Sequence, residues 1–440
     1  MTENSTGRKL SNALLNSLAG RYTVYGVQLL SMMVLARVFT PEIFGLVAVI
    51  QVFAIFFTLF SEMGLGPALI NEKKISRDMR DSVFTITLLL GTGICSIFIF
   101  LSPYISIYYE NPIYTFISIP IGISVIFNSA LIVPLASLQK ERKFIVIARS
   151  ESLAEIISLG SVFVFLKFLE PIWSLTLKYL VSSLFKFSIL WFESRKTETG
   201  SARLGFAFSN INPLLGFSFY QAGFNFLNFF SRNLDNVLVG KYFGAVSLGI
   251  YDKAYQLMRY PLMLLTFAMT PAIQPVLTEI KSNKIEFERL HNKFVKYISL
   301  LGVVGGVSIF LLSDYIVLFL LGDQWDGVVP LLEILSITIP IQVVLSSSGG
   351  FYQAAGRTDL LFKCGLFSSL VNVSAIFTGI FLNSLESLSW CLVVSFSINF
   401  FQCYYLMGRK LFPGGYLSII KSMYISIIGT VLFSIYVVAN

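Results

Sequence analysis

The sequence feature that most constrains the fold is a series of about 13 apolar stretches, each long enough for a bilayer-spanning helix of roughly 20 residues. Hydrophobic residues make up 55% of the chain and charged residues only 13%, so a soluble globular fold is not expected. Long apolar runs without alternation predict helices and exclude an outer-membrane barrel. The predicted spans lie near 14–38, 43–67, 82–103, 113–137, 144–167, 171–192, 213–240, 246–276, 294–321, 328–352, 359–382, 387–407 and 416–438.

The connecting loops alternate in charge, and this alternation predicts an orientation. One set of loops is basic, whereas 103–112, 321–327 and 383–387 are nearly free of cations. The positive-inside bias predicts a cytoplasmic N-terminus, and an odd final span puts the C-terminus outside. These loops account for the net charge of +8. They lack the interleaved aromatic residues of a nucleic-acid platform, so no nucleic-acid partner is expected.

The chain also contains a weak internal repeat at an offset of roughly 200 residues. Residues 44–46 (FGL) recur as 248–250 (LGI), 67–69 (PAL) recur as 275–277 (PVL), and Gln139 recurs as Gln353. An even number of spans in each half keeps the repeats parallel, which is typical of transporters whose site lies between the halves. The predicted organisation is a lobe at 1–192, a cytoplasmic linker at 193–212, a lobe at 213–407 and an extra span at 408–440.

Cysteine and histidine usage predicts neither a metal site nor a disulfide. The four cysteines, Cys95, Cys364, Cys391 and Cys403, fall in apolar stretches without a CxxC pair. The single histidine, His291, lies in a charged segment and is interpreted as a surface residue. The segment 279–293 is amphipathic and is expected along the inner leaflet. Outer loops are short and no catalytic constellation is visible, so the chain is not expected to be an enzyme.

Several ionisable residues fall inside predicted spans. A charge at that depth costs free energy, so each is expected to have a partner or to face a cavity. Glu151 and Glu155 are interpreted as structural pairing residues, and Lys186 as a residue that snorkels to the surface. Cations outnumber anions in spans 1, 7 and 8. Excess positive charge facing a cavity favours an anionic ligand, and arginine suits phosphate. Arg21, Arg232 and Arg259 therefore either line a central cavity or satisfy structural partners.

Span 7 carries a polar stripe on one helical face. It includes Gln221, Asn225 and Asn228, followed by Arg232 and Asp235. Such a stripe predicts either a wet cavity or hydrogen bonds between helices. Near predicted outer boundaries, the aromatic residues are interpreted as an interfacial belt: Tyr104, Tyr108, Tyr109, Trp173 and Trp325.

Residues 35–48 (LARVFTPEIFGLVA) resemble a segment of polysaccharide flippases of the O-antigen and colanic-acid exporter type. These belong to the multidrug, oligosaccharidyl-lipid and polysaccharide (MOP) exporter superfamily. Further matching segments cover nearly the whole chain: 61–70, 231–240, 248–255, 322–325 and 356–359. The resemblance implies an all-α fold with two six-helix lobes around a central cavity that opens alternately to each side.

The resemblance also implies a cargo, an oligosaccharide on undecaprenyl pyrophosphate moved across the bacterial inner membrane for surface polysaccharide assembly. The anionic headgroup would then meet Arg21, Arg232, Lys253 and Arg259. No cofactor is expected, and no P-loop for ATP is present. A proton or sodium gradient is the expected energy source, with Glu62, Asp235 or Asp252 as candidate coupling or charge-pairing residues.

Other readings of the same sequence remain open. One is a drug or organic-cation antiporter of the same superfamily, which would need buried acids to exceed buried bases. A less favoured one is a membrane polysaccharide polymerase. Membrane lipids are expected partners, together with a polymerase and a chain-length regulator.

Overall fold

The computed structural model describes residues 3–72, 75–211, 226, 229–230, 232–267, 277, 280 and 283–439. Every regular element among these residues is a helix, which confirms the all-α prediction. The chain divides into two compact units, residues 1–249 and 250–440. Residues 232–249 thus group with the first unit, whereas the sequence assigned 213–407 to the second lobe. The predicted lobe division itself stays a prediction.

The described residues of the first unit include seven helices and residues 232–242 of an eighth. They are α1 (Glu3–Val38), α2 (Pro41–Glu62), α3 (Leu65–Asn71), α4 (Arg77–Tyr109), α5 (Ile113–Lys140), α6 (Phe144–Phe165), α7 (Pro171–Ser194) and α8 (residues 232–242). A 3-10 turn, Phe208–Ile211, lies after α7.

Predicted span 2 is broken near its inner end. Thr40 caps the start of α2, because its hydroxyl accepts the Ile43 N–H and Pro41 follows at the first helical position. Met63 and Gly64 both have positive φ, 41° and 69°, so the chain turns before α3 begins. Hydropathy did not indicate this break, because the apolar run continues through it. Gly64 was the only indication in the sequence.

Helix α5 is the central helix of the first unit. Of its most apolar 18-residue stretch, 67% is buried. The helix packs against α2, α3, α4 and α7. Small residues permit the close packing: a Cβ at Gly91 would lie 2.5 Å from Ser129. The Ser129 hydroxyl donates to Ser61 Oγ at 2.7 Å, which satisfies a polar group inside the bundle.

The second unit follows the first turns of α9 (Gly244–Leu262), which continues into a π-helical turn at Met263–Phe267. The further α-helices with described bounds are α10 (Lys284–Leu311), α11 (Ser313–Leu320), α12 (Val328–Ser336), α13 (Ile339–Ala354), α14 (Thr358–Phe381), α15 (Leu385–Lys410) and α16 (Gly415–Ala439). Helices α12 and α13 form one predicted span bent by 62°.

Within the described residues, eight spans are long and apolar enough to cross a membrane, or nine if α12 and α13 count as one span. The chain is therefore a multi-pass membrane protein, while the count of 13 stays a prediction. Helix α6 has sufficient length, but it carries Arg149, Glu151 and Glu155. Predicted spans 7 and 8 lie partly outside the described residues.

Three interpretations from the sequence are wrong. Residues 284–293 do not form a separate surface helix, because they are the first turns of the continuous helix α10. His291 therefore points into the unit and is fully buried between the rings of Phe351, Tyr404 and Phe412. Trp325 is also fully buried and does not belong to an interfacial belt, unlike the exposed Tyr104 and Tyr108.

Candidate transport site

Three arginines that the sequence offered either as cavity residues or as structural pairing residues have exposed side chains: Arg21, Arg232 and Arg259. At 1.5 Å per residue, Arg21 lies about 26 Å along α1 from Val38, the end predicted to be outside. Arg232 lies about 15 Å from the outer end of α8, and Arg259 about 22 Å from the start of α9. In the predicted orientation all three lie within the depth of a bilayer, where an exposed guanidinium requires water or a polar ligand.

The charged residues of α9 are partly neutralised within their own helix. Lys253 is buried, and its ammonium group lies 3.1 Å from both Asp252 Oδ2 and Gln256 Oε1. Arg259 lies over the Tyr255 ring, with its guanidinium carbon 5.8 Å from the ring centre. Because Lys253 is already paired with Asp252, Arg259 is the more accessible cation of this helix.

The remaining predicted site residues occupy different settings. Asp235 is buried on α8, and its carboxylate accepts the Asn236 N–H at 2.9 Å. Glu62 is the last residue of α2, immediately before the break at Met63. Gln221, Asn225 and Asn228 lie outside the described residues. The roles of these groups stay predictions.

The acids of α6 have structural partners, as the sequence predicted. Glu155 accepts hydrogen bonds from Lys178 on α7, at 2.7 Å, and from the Ser31 hydroxyl on α1. Glu151 pairs with Lys186 at 2.6 Å, so Lys186 bonds to a helix neighbour inside the bundle. The Glu155 pair is largely buried and joins three helices. Because both charges are largely removed from water, loss of either partner alone would leave an unpaired buried charge.

An apolar cavity of about 450 Å³ lies between α2, α4 and α8, and Phe229 and Phe230, just before α8, also line it. Phe56 lies at its wall, with ring centres of Phe229 and Phe230 at 5.2 and 5.6 Å. Among the described lining residues, Asn233 is the only one with a side-chain amide, and Tyr104 and Tyr108 add two hydroxyl groups. This cavity suits a hydrocarbon group and does not suit a charged headgroup. This cavity was not predicted from the sequence, because its aromatic residues are dispersed over three spans.

The C-terminal ends of α4 and α8 are joined by two polar contacts. Tyr109 donates its hydroxyl to the Val237 carbonyl at 3.0 Å, and Lys241 pairs with Glu110 at 2.9 Å. The hydrogen bond and charge of Lys241 hold the pKa of the Glu110 carboxyl below its ordinary value. The described part of α8 is therefore held to the end of α4 by one hydrogen bond and one ion pair.

The start of α2 crosses the start of α9 at two glycines. A Cβ on Gly45 would lie 1.7 Å from the Ala245 carbonyl oxygen, and a Cβ on Gly249 would lie 2.0 Å from the Pro41 carbonyl oxygen. Only glycine permits this backbone contact. Gly45 and Gly249 are equivalent positions of the internal repeat. The repeat was visible in the sequence, but the contact between its two copies was not.

The predicted linker 193–212 is held against the first unit along much of its length. Arg80 donates to the Thr199 carbonyl, and Asp81 accepts the Arg203 N–H at 2.8 Å. The Trp191 indole donates to the Ala202 carbonyl at 3.0 Å. These hydrogen bonds pair backbone groups of the segment with side chains of the first unit. The polar, glycine-containing composition predicted a linker but did not indicate this attachment.

Comparisons with known proteins agree with this architecture. The chain is 23% identical over 410 residues to lipopolysaccharide biosynthesis protein WzxC of Escherichia coli (strain K12), covering 91% of this chain and 81% of that protein. It is 24% identical over 391 residues to succinoglycan biosynthesis transport protein ExoT of Rhizobium meliloti (strain 1021), covering 86% and 76%.

Two solved structures share the fold. The lipid II flippase MurJ, in an inward closed conformation, superposes with a TM-score of 0.73 at 16% identity and covers 97% of each chain. A multidrug resistance MATE family transporter of the MOP superfamily gives a TM-score of 0.61 at 12% identity, covering 97% and 98%. These matches confirm the predicted fold. Residues 34–330 match the model of one family, and the chain belongs to that family of polysaccharide biosynthesis proteins.

Proposed function

We propose that this protein is a flippase for lipid-linked oligosaccharides. In this proposal it moves repeat units on undecaprenyl pyrophosphate across the bacterial inner membrane by alternating access. The N-terminus is cytoplasmic, and the product feeds surface polysaccharide assembly. The family membership and the MurJ-like fold support transport of a lipid-linked sugar. A polysaccharide polymerase and a chain-length regulator would act on the delivered units.

The observation that carries the proposal is the exposure of Arg21, Arg232 and Arg259 at bilayer depth. Exposed arginines in hydrocarbon are costly, so each is expected to face a water-filled cavity. A guanidinium donates two parallel hydrogen bonds to phosphate oxygens, which suits a pyrophosphate headgroup. Asp235 on the same helix as Arg232 is buried. This distribution favours an anionic cargo over the organic cation of a drug antiporter.

Charge removal tests the proposal. Arg21→Gln, Arg232→Gln and Arg259→Gln should each reduce surface polysaccharide strongly while the amount of protein in the membrane stays normal. The matched control is Arg289→Gln, which removes a cation from an exposed cytoplasmic position. The lipid-linked oligosaccharide should accumulate on the inner leaflet. Full polysaccharide in all three variants would reject the cationic cavity, and accumulation on the outer leaflet would favour a polymerase.

We further propose that a proton or sodium gradient drives the transport, with Glu62, Asp235 or Asp252 as the responding carboxylate. The chain contains no P-loop, which excludes that route of ATP hydrolysis. Transport of a fluorescent lipid-linked sugar into proteoliposomes should stop when ionophores collapse both gradients. Continued transport against a concentration difference without either gradient would reject coupling, but not the flippase itself.

A further inference from the structure

A basic cleft of about 770 Å³ opens on the second unit between α10 and α16. Lys293 and Lys296 line it from α10, and Lys421 lines it from α16. All three lysines have exposed side chains. Among the residues that the structure describes, no carboxylate lies within 4.0 Å of any of these ammonium groups. The cleft therefore holds three positive charges without a close counter-ion from the described part of the chain.

The polar wall of the cleft is fixed by hydrogen bonds that join the two helices. The Asn292 amide donates to Ser418 Oγ at 3.0 Å, and its oxygen lies 3.0 Å from Nδ1 of the buried His291. Nearby, the Gly414 N–H donates to the Glu288 carboxylate at 2.9 Å. Asn292, Ser418 and Gly414 all line the cleft. The packing of α10 against α16 thus holds this polar wall in place.

Apolar surface continues from the lysines along both helices. Tyr297 and Leu300 follow Lys296 on α10, and further residues of the two faces are each more than a third exposed: Val304, Val307, Leu311, Tyr424, Ile428 and Leu432. The spacing of three to four residues keeps each set on one helical face. Such faces contact acyl chains in a membrane. A soluble anion would use the lysines but would gain nothing from the two apolar faces.

We propose that this cleft binds the phosphodiester headgroup of an anionic phospholipid of the surrounding bilayer. The three ammonium groups and the Asn292 and Ser418 side chains receive the headgroup, and the acyl chains lie along the apolar faces. Basic clefts between transmembrane helices on the cytoplasmic side bind such headgroups in this way. In the predicted orientation, the lysine-bearing ends of α10 and α16 lie at the cytoplasmic leaflet. This site is separate from the arginines of the proposed function and does not depend on them.

The test is binding of phosphatidylglycerol to the purified full chain, measured by native mass spectrometry and by the shift in melting temperature. Phosphatidylcholine is the zwitterionic comparison lipid. The triple variant Lys293→Gln, Lys296→Gln, Lys421→Gln should weaken phosphatidylglycerol binding on the order of 100-fold, since each surface charge contributes about a factor of five. The matched control removes three exposed cations outside the cleft: Lys284→Gln, Arg289→Gln and Lys410→Gln.

Selective loss of phosphatidylglycerol binding in the cleft variant supports the site. Equal loss in both triple variants would overturn it, because the binding would then come from diffuse surface charge. Glycerol phosphate and inorganic pyrophosphate serve as soluble probes. If either stabilises the protein as strongly as phosphatidylglycerol, the cleft is a soluble-anion site and the lipid proposal fails. Unchanged binding in the cleft variant would also reject it.

Discussion

At the scale of single residues, the most informative contact is the buried pair between Glu155 and Lys178. Replacing Lys178 by methionine leaves the Glu155 charge without its partner, which should destabilise the protein by about 3–5 kcal/mol. The more exposed pair, Glu151 and Lys186, offers a matched control. Lys186→Met should cost less than about 1 kcal/mol. Unfolding of the purified variants in detergent measures both effects.

The double variant Glu155→Gln, Lys178→Met sharpens this test. It removes both charges, so its stability should exceed that of Lys178→Met alone. Similar losses for Lys178→Met and Lys186→Met would show that burial does not distinguish the two pairs.

The Glu110 and Lys241 contact predicts a pH dependence of stability. The pKa of Glu110 is lowered, so the folded state favours its charged form. The stabilisation is fully present above the ordinary glutamate pKa of 4.5 and is lost as the pH falls through the lowered pKa. The unfolding midpoint of the wild type should therefore decrease more steeply on acidification than that of Glu110→Gln. Parallel pH profiles for the two proteins would contradict this assignment.

At the scale of helices, the crossing of α2 and α9 depends on two glycines. Gly45→Ala or Gly249→Ala places a methyl group against a backbone carbonyl that no side-chain rotation can move. Each substitution should cost about 1–3 kcal/mol and should impair polysaccharide export. Gly93→Ala and Gly160→Ala are the controls, because a Cβ at either position meets no atom within 4 Å. Normal stability and export in the Gly45 and Gly249 variants would argue against a tight crossing.

Helix type and approximate span positions could be predicted from the sequence, because apolar length and loop charge act over whole segments. Breaks within spans could not. The turn at Met63 and Gly64 and the bend between α12 and α13 leave hydropathy nearly unchanged, since they depend on packing against neighbours. The burial of His291 was missed for a related reason. A charged composition indicated a loop, whereas α10 starts at Lys284 and turns His291 inward.

The candidate site was predictable only as a set of charges. Composition identified Arg21, Arg232 and Arg259, and the structure adds their exposure. The sequence did not reveal that Lys253 is paired with Asp252, because neighbouring residues on a helix usually point apart. Nor could the sequence reveal that Lys421, inside a predicted span on one helix, lines the same cleft as Lys293 and Lys296 on another.

At the scale of the whole molecule, the charge alternation predicts which loops face the cytoplasm. In a background without native cysteines, Glu110→Cys and Asn383→Cys should react with a membrane-impermeant maleimide added to spheroplasts. Glu141→Cys and Lys196→Cys should react only after the membrane is permeabilised. The reverse pattern would invert the orientation, and labelling of one outer position only would revise the number of spans between them.

The contact between Gly45 and Gly249 bears on how such a chain arose. These glycines are equivalent positions of the internal repeat, and each approaches the backbone beside the other. Equivalent positions meet only near the axis that relates two copies. In an ancestor with one copy of the repeat, assembled as a symmetric dimer, a single codon would have supplied both glycines, and one substitution would have disrupted the contact twice. After duplication and fusion, the two positions became free to vary separately, yet each still requires glycine.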